Sequence, residues 1–65
     1  MSQDMVIAGL ARKLGLRVRG LRYRVRHGWE CVVDEWGRVE ATNAAQMCEE
    51  LREVARELEP EEVGE

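Results

Sequence analysis

The sequence predicts an α+β fold: a single small domain spanning residues 1–65, of order α-β-β-β-α, with a three-stranded antiparallel meander covered on one face by helices. Three observations lead there. Apolar residues recur at helical spacing near both ends of the chain, they alternate with arginines from Leu16 to Val25, and two glycine-bearing loops divide the middle into hairpins. A chain of 65 residues has room for one thin core, close to the size below which domains need metals or staples. Its apolar content of 45% argues for a folded chain, with only the last few residues loose.

The first helix is expected from Met5 to Lys13, capped by Asp4, with Val6, Ile7, Leu10 and Leu14 on one side and Gly15 as its stop. Alternation then takes over. Leu16 and Val18 are apolar, and after Gly20 so are Leu21, Tyr23 and Val25, while Arg17, Arg19, Arg22, Arg24 and Arg26 stand between them. The change of parity at Gly20 predicts a β-bulge, which keeps the apolar side chains on one face and the five arginines on the other.

A three-residue loop from Arg26 to Gly28 pairs Val25 with Trp29, Tyr23 with Cys31 and Leu21 with Val33, and sets Arg24 against Glu30. A two-residue loop would split the apolar residues between faces. The same device at Glu35 to Gly37 pairs Val33 with Val39, Cys31 with Ala41 and Asp34 with Arg38, with Gly28 and Gly37 supplying positive φ. Asn43 followed by Gln46 is a capping-box pattern opening a helix from Ala44 to Leu58, which Pro60 keeps from continuing far. Its apolar stripe is Ala44, Met47, Cys48, Leu51, Val54, Ala55 and Leu58, and it faces the sheet.

Charge is sorted along the chain. Met5 through Trp29 holds seven basic residues and no acidic one, whereas Glu30 through Glu65 holds twelve acidic residues against three basic, so the net −3 describes neither half. Two opposite surfaces follow from this. Arg17, Arg19, Arg22, Arg24, Arg26 and Arg38 are candidates for a nucleic-acid-binding sheet face, where arginines reach phosphates or guanine edges. The plain alternative is an uncovered polar face, part-neutralised by Glu30, Asp34 and Glu40. Glu49, Glu50, Glu53 and Glu57 recur about every 5.4 Å on the outer side of the last helix, and Glu59, Glu61, Glu62 and Glu65 extend the row. These glutamates are candidates for binding a protein partner. Four carboxylates over about two turns reach roughly half the charge density of a duplex, one charge per about 1.7 Å, so the row imitates a phosphate backbone. The plain alternative is a solvated helix face paired with Arg52 and Arg56, as between Glu53 and Arg56. Trp36 is expected at a hairpin tip, either as an interface anchor or folded back over the meander rim.

Catalysis is not expected, because one His, one Ser and one Thr offer no nucleophile with an oriented base. No metal or cofactor is expected either: His27, Cys31 and Cys48 match no zinc spacing and there is no glycine-rich phosphate loop. Cys31 and Cys48 read as reduced core thiols, with a disulfide between them as the alternative. No segment is long enough to span a membrane, and a cytoplasmic location is expected.

Over Leu21 to Leu58, in the stretch YRVRHGWECVVDEWGRVEATNAAQMCEEL, the chain resembles the arm-type DNA-binding domain of tyrosine integrases, whose sheet face enters the major groove. The α-β-β-β-α order is also similar to the double-stranded-RNA-binding domain, but the final helix reads CEELREVARELEPEE where that family presents basic residues to phosphates. In size, charge layout and lack of catalytic residues the chain resembles small inhibitors from phages and mobile elements of the DNA-mimicking anti-CRISPR type. That resemblance implies a stoichiometric inhibitor whose acidic helix and tail occupy a basic groove of a nucleic-acid-binding effector, such as a Cas effector subunit, in a bacterial host cell. Direct nucleic-acid binding through the arginine face, as in a small regulator or recombination accessory protein, is the alternative. A third expectation is a homodimer in which the basic face of one copy meets the acidic helix of another.

Overall fold

The computed structural model describes residues 2–58, and the expected loose C-terminal end lies outside them. Helix α1 (Gln3–Lys13) is followed by strands β1 (Val18–Arg24), β2 (Gly28–Val33) and β3 (Gly37–Ala41) and by helix α2 (Ala44–Leu58). The strands form one antiparallel sheet in the order β1-β2-β3. The expected α-β-β-β-α domain of α+β class is therefore the fold. Both helices lie on the same sheet face: α1 packs on β1 and on α2, and α2 packs on β3 and β2.

Helix α1 begins two residues earlier than its spacing suggests. Ser2, not Asp4, holds the N-cap position, and Asp4 sits in the first turn, where a carboxylate favours the positive end of the helix dipole. Its end is a Schellman motif: the Gly15 N–H donates to Arg12 O at 3.0 Å and the Leu16 N–H to Ala11 O at 2.9 Å, with Gly15 at φ 77°. Ile7 and Ala11 are buried and Leu10 and Leu14 half-buried, but Val6 is exposed, because an eleven-residue helix resting on a narrow sheet buries only the stripe running through Ile7 and Ala11.

The bulge expected at Gly20 is present. Pairing slips between Arg19, opposite Val32, and Arg22, opposite Glu30, with Gly20 at φ 64°. Both hairpins, however, close two residues away from the expected register. Tyr23 faces Trp29 rather than Cys31, Arg22 rather than Arg24 faces Glu30, and the loop is Val25 to His27. Likewise Val33 faces Gly37 rather than Val39, Cys31 faces Val39 and Trp29 faces Ala41. The two loops share one solution. His27 N–H donates to Arg24 O at 2.9 Å and Trp36 N–H to Val33 O at 3.0 Å, and the left-handed residue inside each turn is Arg26 (φ 80°) or Glu35 (φ 71°). The glycines come next, opening β2 and β3. Gly28 also lies so close to Ala41 O and the Thr42 backbone that any side chain there would collide with them.

The core consists of Ile7, Ala11, Trp29, Cys31, Val33, Val39, Ala41, Met47, Leu51 and Val54, with Leu14, Leu16, Val18, Leu21, Ala44, Cys48 and Leu58 packed around it. Tyr23 and Val25 are corrections to the expected inner face. Tyr23 packs at a tilt against Trp29, with ring centroids 5.3 Å apart and an interplanar angle of 58°, yet stays exposed, and Val25 lies in the loop beyond the cover of either helix. Helix α2 opens as its capping pattern predicts: the Gln46 N–H donates to Asn43 Oδ1 at 2.8 Å. The Gln46 side chain reaches back one residue further than usual, accepting from the Thr42 N–H at 3.1 Å and from the Thr42 hydroxyl. No helix among the described residues is long and apolar enough to cross a membrane.

Candidate functional site

The outer face of the sheet carries fewer arginines than the alternation suggests. Arg19, Arg22 and Arg24 from β1 and Arg38 from β3 engage the outer-face carboxylates, whereas Arg17 precedes β1 and lines a cleft beside α2, and Arg26 sits in the first turn. The slip in register decides what these side chains meet. Glu30, on the central strand, is placed opposite Arg22 on one side and Glu40 on the other. Arg22 Nε lies 3.0 Å from Glu30 Oε2 and Arg24 Nη1 3.6 Å from it, while Arg38 Nη2 donates to Oε1 at 3.1 Å. Arg38 Nε also lies 3.0 Å from Glu40 Oε2, so one guanidinium bridges two carboxylates that would otherwise repel across the strands. Arg19 Nε pairs with Asp34 Oδ1 at 3.2 Å.

With its side chain only 11% exposed, Glu30 is the centre of this network. Desolvation pushes its pKa upward, but the hydrogen bond from Arg38 and the charges of Arg24, Arg38 and Arg22 outweigh it and hold the carboxyl below its ordinary range. The face as a whole sums four guanidiniums against Glu30, Asp34 and Glu40, or 4 − 3 = +1. Its expected role as a strongly basic surface is thus reduced to a nearly neutral one by ion pairing.

The outer face of α2 is different. Glu49, Glu50, Glu53 and Glu57 are all exposed, and among the described residues none forms an ion pair with Arg52 or Arg56, including the Glu53–Arg56 pair that spacing suggests. The row spans about 12 Å from Glu49 to Glu57 at 1.5 Å per residue. It contains two like-charge pairs at i, i+4, Glu49 with Glu53 and Glu53 with Glu57. The first turn of α2 has no acidic residue, Glu49, Glu50 and Glu53 lie in its middle turns, and Glu57 stands in the last turn, where the helix dipole disfavours a carboxylate. Helix stability does not explain this placement. Glu59, Glu61, Glu62 and Glu65 lie outside the described residues.

Sequence reasoning did not place the β2–β3 tip near the end of α2. Asp34, Glu35 and Leu58 line one cleft of about 160 Å³ together with Gly15, Leu16 and Arg17, which brings the β2–β3 tip beside the C-terminal end of α2. The acidic run Asp34-Glu35 was the available signal, but nothing in its spacing pointed to α2. Elsewhere, Cys31 and Cys48 are free thiols, and burial pushes the Cys31 thiol upward, which makes it a poor nucleophile. No group of three His, Cys, Asp or Glu side chains among the described residues is arranged to hold a metal ion. The chain matches no protein-family model, no curated protein and no solved structure, which leaves the two charged faces to carry the functional argument.

Proposed function

We propose that this protein is a non-enzymatic, stoichiometric inhibitor that sets the acidic outer face of α2 into the basic groove of a nucleic-acid-binding effector and excludes nucleic acid by competition, as DNA-mimicking anti-CRISPR proteins do. One observation carries the reading. The described carboxylates of α2 stand unpaired and next to one another, with Glu57 at the unfavourable end of the helix, while the cations of the sheet are taken up by carboxylates of the sheet itself. An exposed row of charge that lowers the stability of its own helix is retained for something outside the molecule. Such a row steers association with a basic groove and opposes it with a phosphate-like line of charge.

The test is competition. Labelled duplex DNA bound to a basic DNA-binding protein, a Cas effector subunit among the proteins tried, is titrated with this protein at about 50 mM salt, where phosphate contacts are strong. Displacement by the native chain is expected, together with its loss in the triple variant Glu50→Gln, Glu53→Gln, Glu57→Gln, whose thermal midpoint is not lower. Displacement retained after all three changes would reject the acidic row as the binding surface. In a parallel titration without effector, the protein alone is expected to leave the duplex unbound. Salt-sensitive binding there would instead transfer the function to Arg19, Arg22, Arg24 and Arg38.

A further inference from the structure

The outer face of the sheet is hollowed as well as charged. A cleft of about 290 Å³ lies over the central strand, lined by Arg22 and Arg24 of β1, Glu30 and Val32 of β2, Arg38 of β3 and Gly20 at the bulge. Its walls follow from the register. Arg22 stands opposite Glu30 and Arg38 opposite Val32, so cations from both edge strands flank the middle one. Gly20, at φ 64°, bulges β1 at one end of the cleft, and a side chain built on it would meet nothing within 4 Å. Val32, exposed for a large apolar residue, supplies an apolar floor.

Three guanidiniums converge here on a carboxylate that one could pair. Arg22 and Arg24 both lie against Glu30 Oε2, at 3.0 and 3.6 Å, so two like charges are held beside each other. The cleft is left at +2, three cations against Glu30, although the whole face sums to only +1. Glu40 also meets Arg38, but from outside the cleft and exposed to water. Donors are in surplus too. Each guanidinium carries five N–H groups, and the one hydrogen bond that these three donate among the described residues runs from Arg38 Nη2 to Glu30 Oε1 at 3.1 Å. Glu30, shielded from solvent, thus holds the three side chains around the cleft without using up their charge or their donors.

From this arrangement we infer that the cleft binds a terminal phosphate monoester, the group carried by a mononucleotide or by the phosphorylated end of a nucleic-acid strand. Such a group bears close to two negative charges at neutral pH and three oxygens that accept forked N–H groups, which matches a +2 cleft with guanidiniums on both sides. An internal phosphodiester bears one charge, and beyond the cleft a duplex backbone meets a nearly neutral face. The apolar part of the nucleoside packs over Val32. The site lies on the side of the sheet away from both helices, so it is independent of the α2 carboxylates and of the inhibitor reading.

Fluorescence anisotropy tests the site at about 50 mM salt, with a short oligo(dT) labelled by fluorescein at its 3′ end and carrying either a 5′ phosphate or a 5′ hydroxyl. The native chain is expected to bind the phosphorylated strand about tenfold more tightly. Arg24→Gln, and separately Arg22→Gln, is expected to abolish that preference, whereas Arg26→Gln, with the same change of net charge outside the cleft, keeps it. The triple variant Glu50→Gln, Glu53→Gln, Glu57→Gln keeps it as well. Competition tells the two sources apart. Adenosine monophosphate displacing the label as well as an unlabelled phosphorylated strand does marks free nucleotide as the ligand, and a strand that competes far better marks a strand end; adenosine is expected to compete in neither case. Equal affinity for the two 5′ ends overturns the phosphate site, whether or not the arginine variants fold. A preference that survives in Arg22→Gln and Arg24→Gln proteins, both folded by thermal melt, overturns its assignment to this cleft. Both results leave displacement by the α2 row as a separate question.

Discussion

The outer face of the sheet and the outer face of α2 are both charged, yet they dispose of charge in opposite ways. On the sheet, Glu30, Asp34 and Glu40 each meet a guanidinium at 3.0–3.6 Å, and Glu30 meets three. On α2, four exposed carboxylates meet each other across single helical turns, with no ion pair among the described residues. Cross-strand neighbours sit about 4.5–5.5 Å apart, so a sheet that alternates signs between strands neutralises itself. A helix brings i and i+4 together, so a row of one sign repels itself. The difference separates charge paired within the fold from charge left exposed on its surface.

Removing the centre of the sheet network is the severest challenge to this contrast. Glu30→Gln leaves Arg22, Arg24 and Arg38 converging on a group without charge and changes the face from +1 to +2. The largest fall in thermal midpoint among the charge variants is expected, together with a gain in duplex DNA binding by fluorescence anisotropy. An unchanged midpoint would show that the paired face contributes nothing to the fold and would erase the contrast.

Acid is the next lever. Because the carboxyl of Glu30 titrates below its ordinary value of 4.5 in the folded protein, its contribution is present above that value and disappears as pH falls through the lower folded one. Thermal melts from about pH 6 to about pH 3 are expected to show a steeper loss for the native chain than for Glu30→Gln. Parallel curves would mean that Glu30 is not the acid-sensitive element.

On the helix the expected sign reverses. Glu53→Gln removes one member of both like-charge pairs and lightens the C-terminal half of α2, so stability is expected to rise by about 0.3–1 kcal/mol in urea unfolding while groove binding weakens. A loss of stability would show that Glu53 is paired in solution and would bring the two faces into line. The smallest effect comes from salt. At about 1 M, where screening acts within about 3 Å, the advantage of Glu53→Gln over the native chain is expected to vanish, while part of the cost of Glu30→Gln persists because Glu30 is shielded from solvent.

Much of the fold was legible in local patterns, and the misreadings share a cause. The bulge at Gly20, the Asn43–Gln46 cap and the α2 stripe each follow from a rule of short range, and each is present. The hairpin register was missed by two residues at both turns. Side chains alternate faces with a period of two, so a slip of two leaves every apolar residue on its proper face and gives the pattern nothing to object to. The glycines misled in the same way: Gly28 and Gly37 do take positive φ, but as the first residues of β2 and β3, while Arg26 and Glu35 take the left-handed position inside the turns. That slip moved Arg22 rather than Arg24 opposite Glu30 and allowed Arg38 to reach both Glu30 and Glu40. The acidic row on α2 was readable because helical spacing alone defines a face.

What the sequence by itself determined is therefore whatever depends on period and local chemistry: the element order, the buried stripe of Met47, Leu51 and Val54, and the grouping of acids on one side of α2. Only the tertiary structure decided which charges are spent on one another and which stay free, that Tyr23 and Val25 lie beyond the cover of the helices, and that Asp34 and Glu35 share a cleft with the end of α2. Those outcomes depend on distances between residues far apart in the chain, and a period of two or of 3.6 carries no information about them.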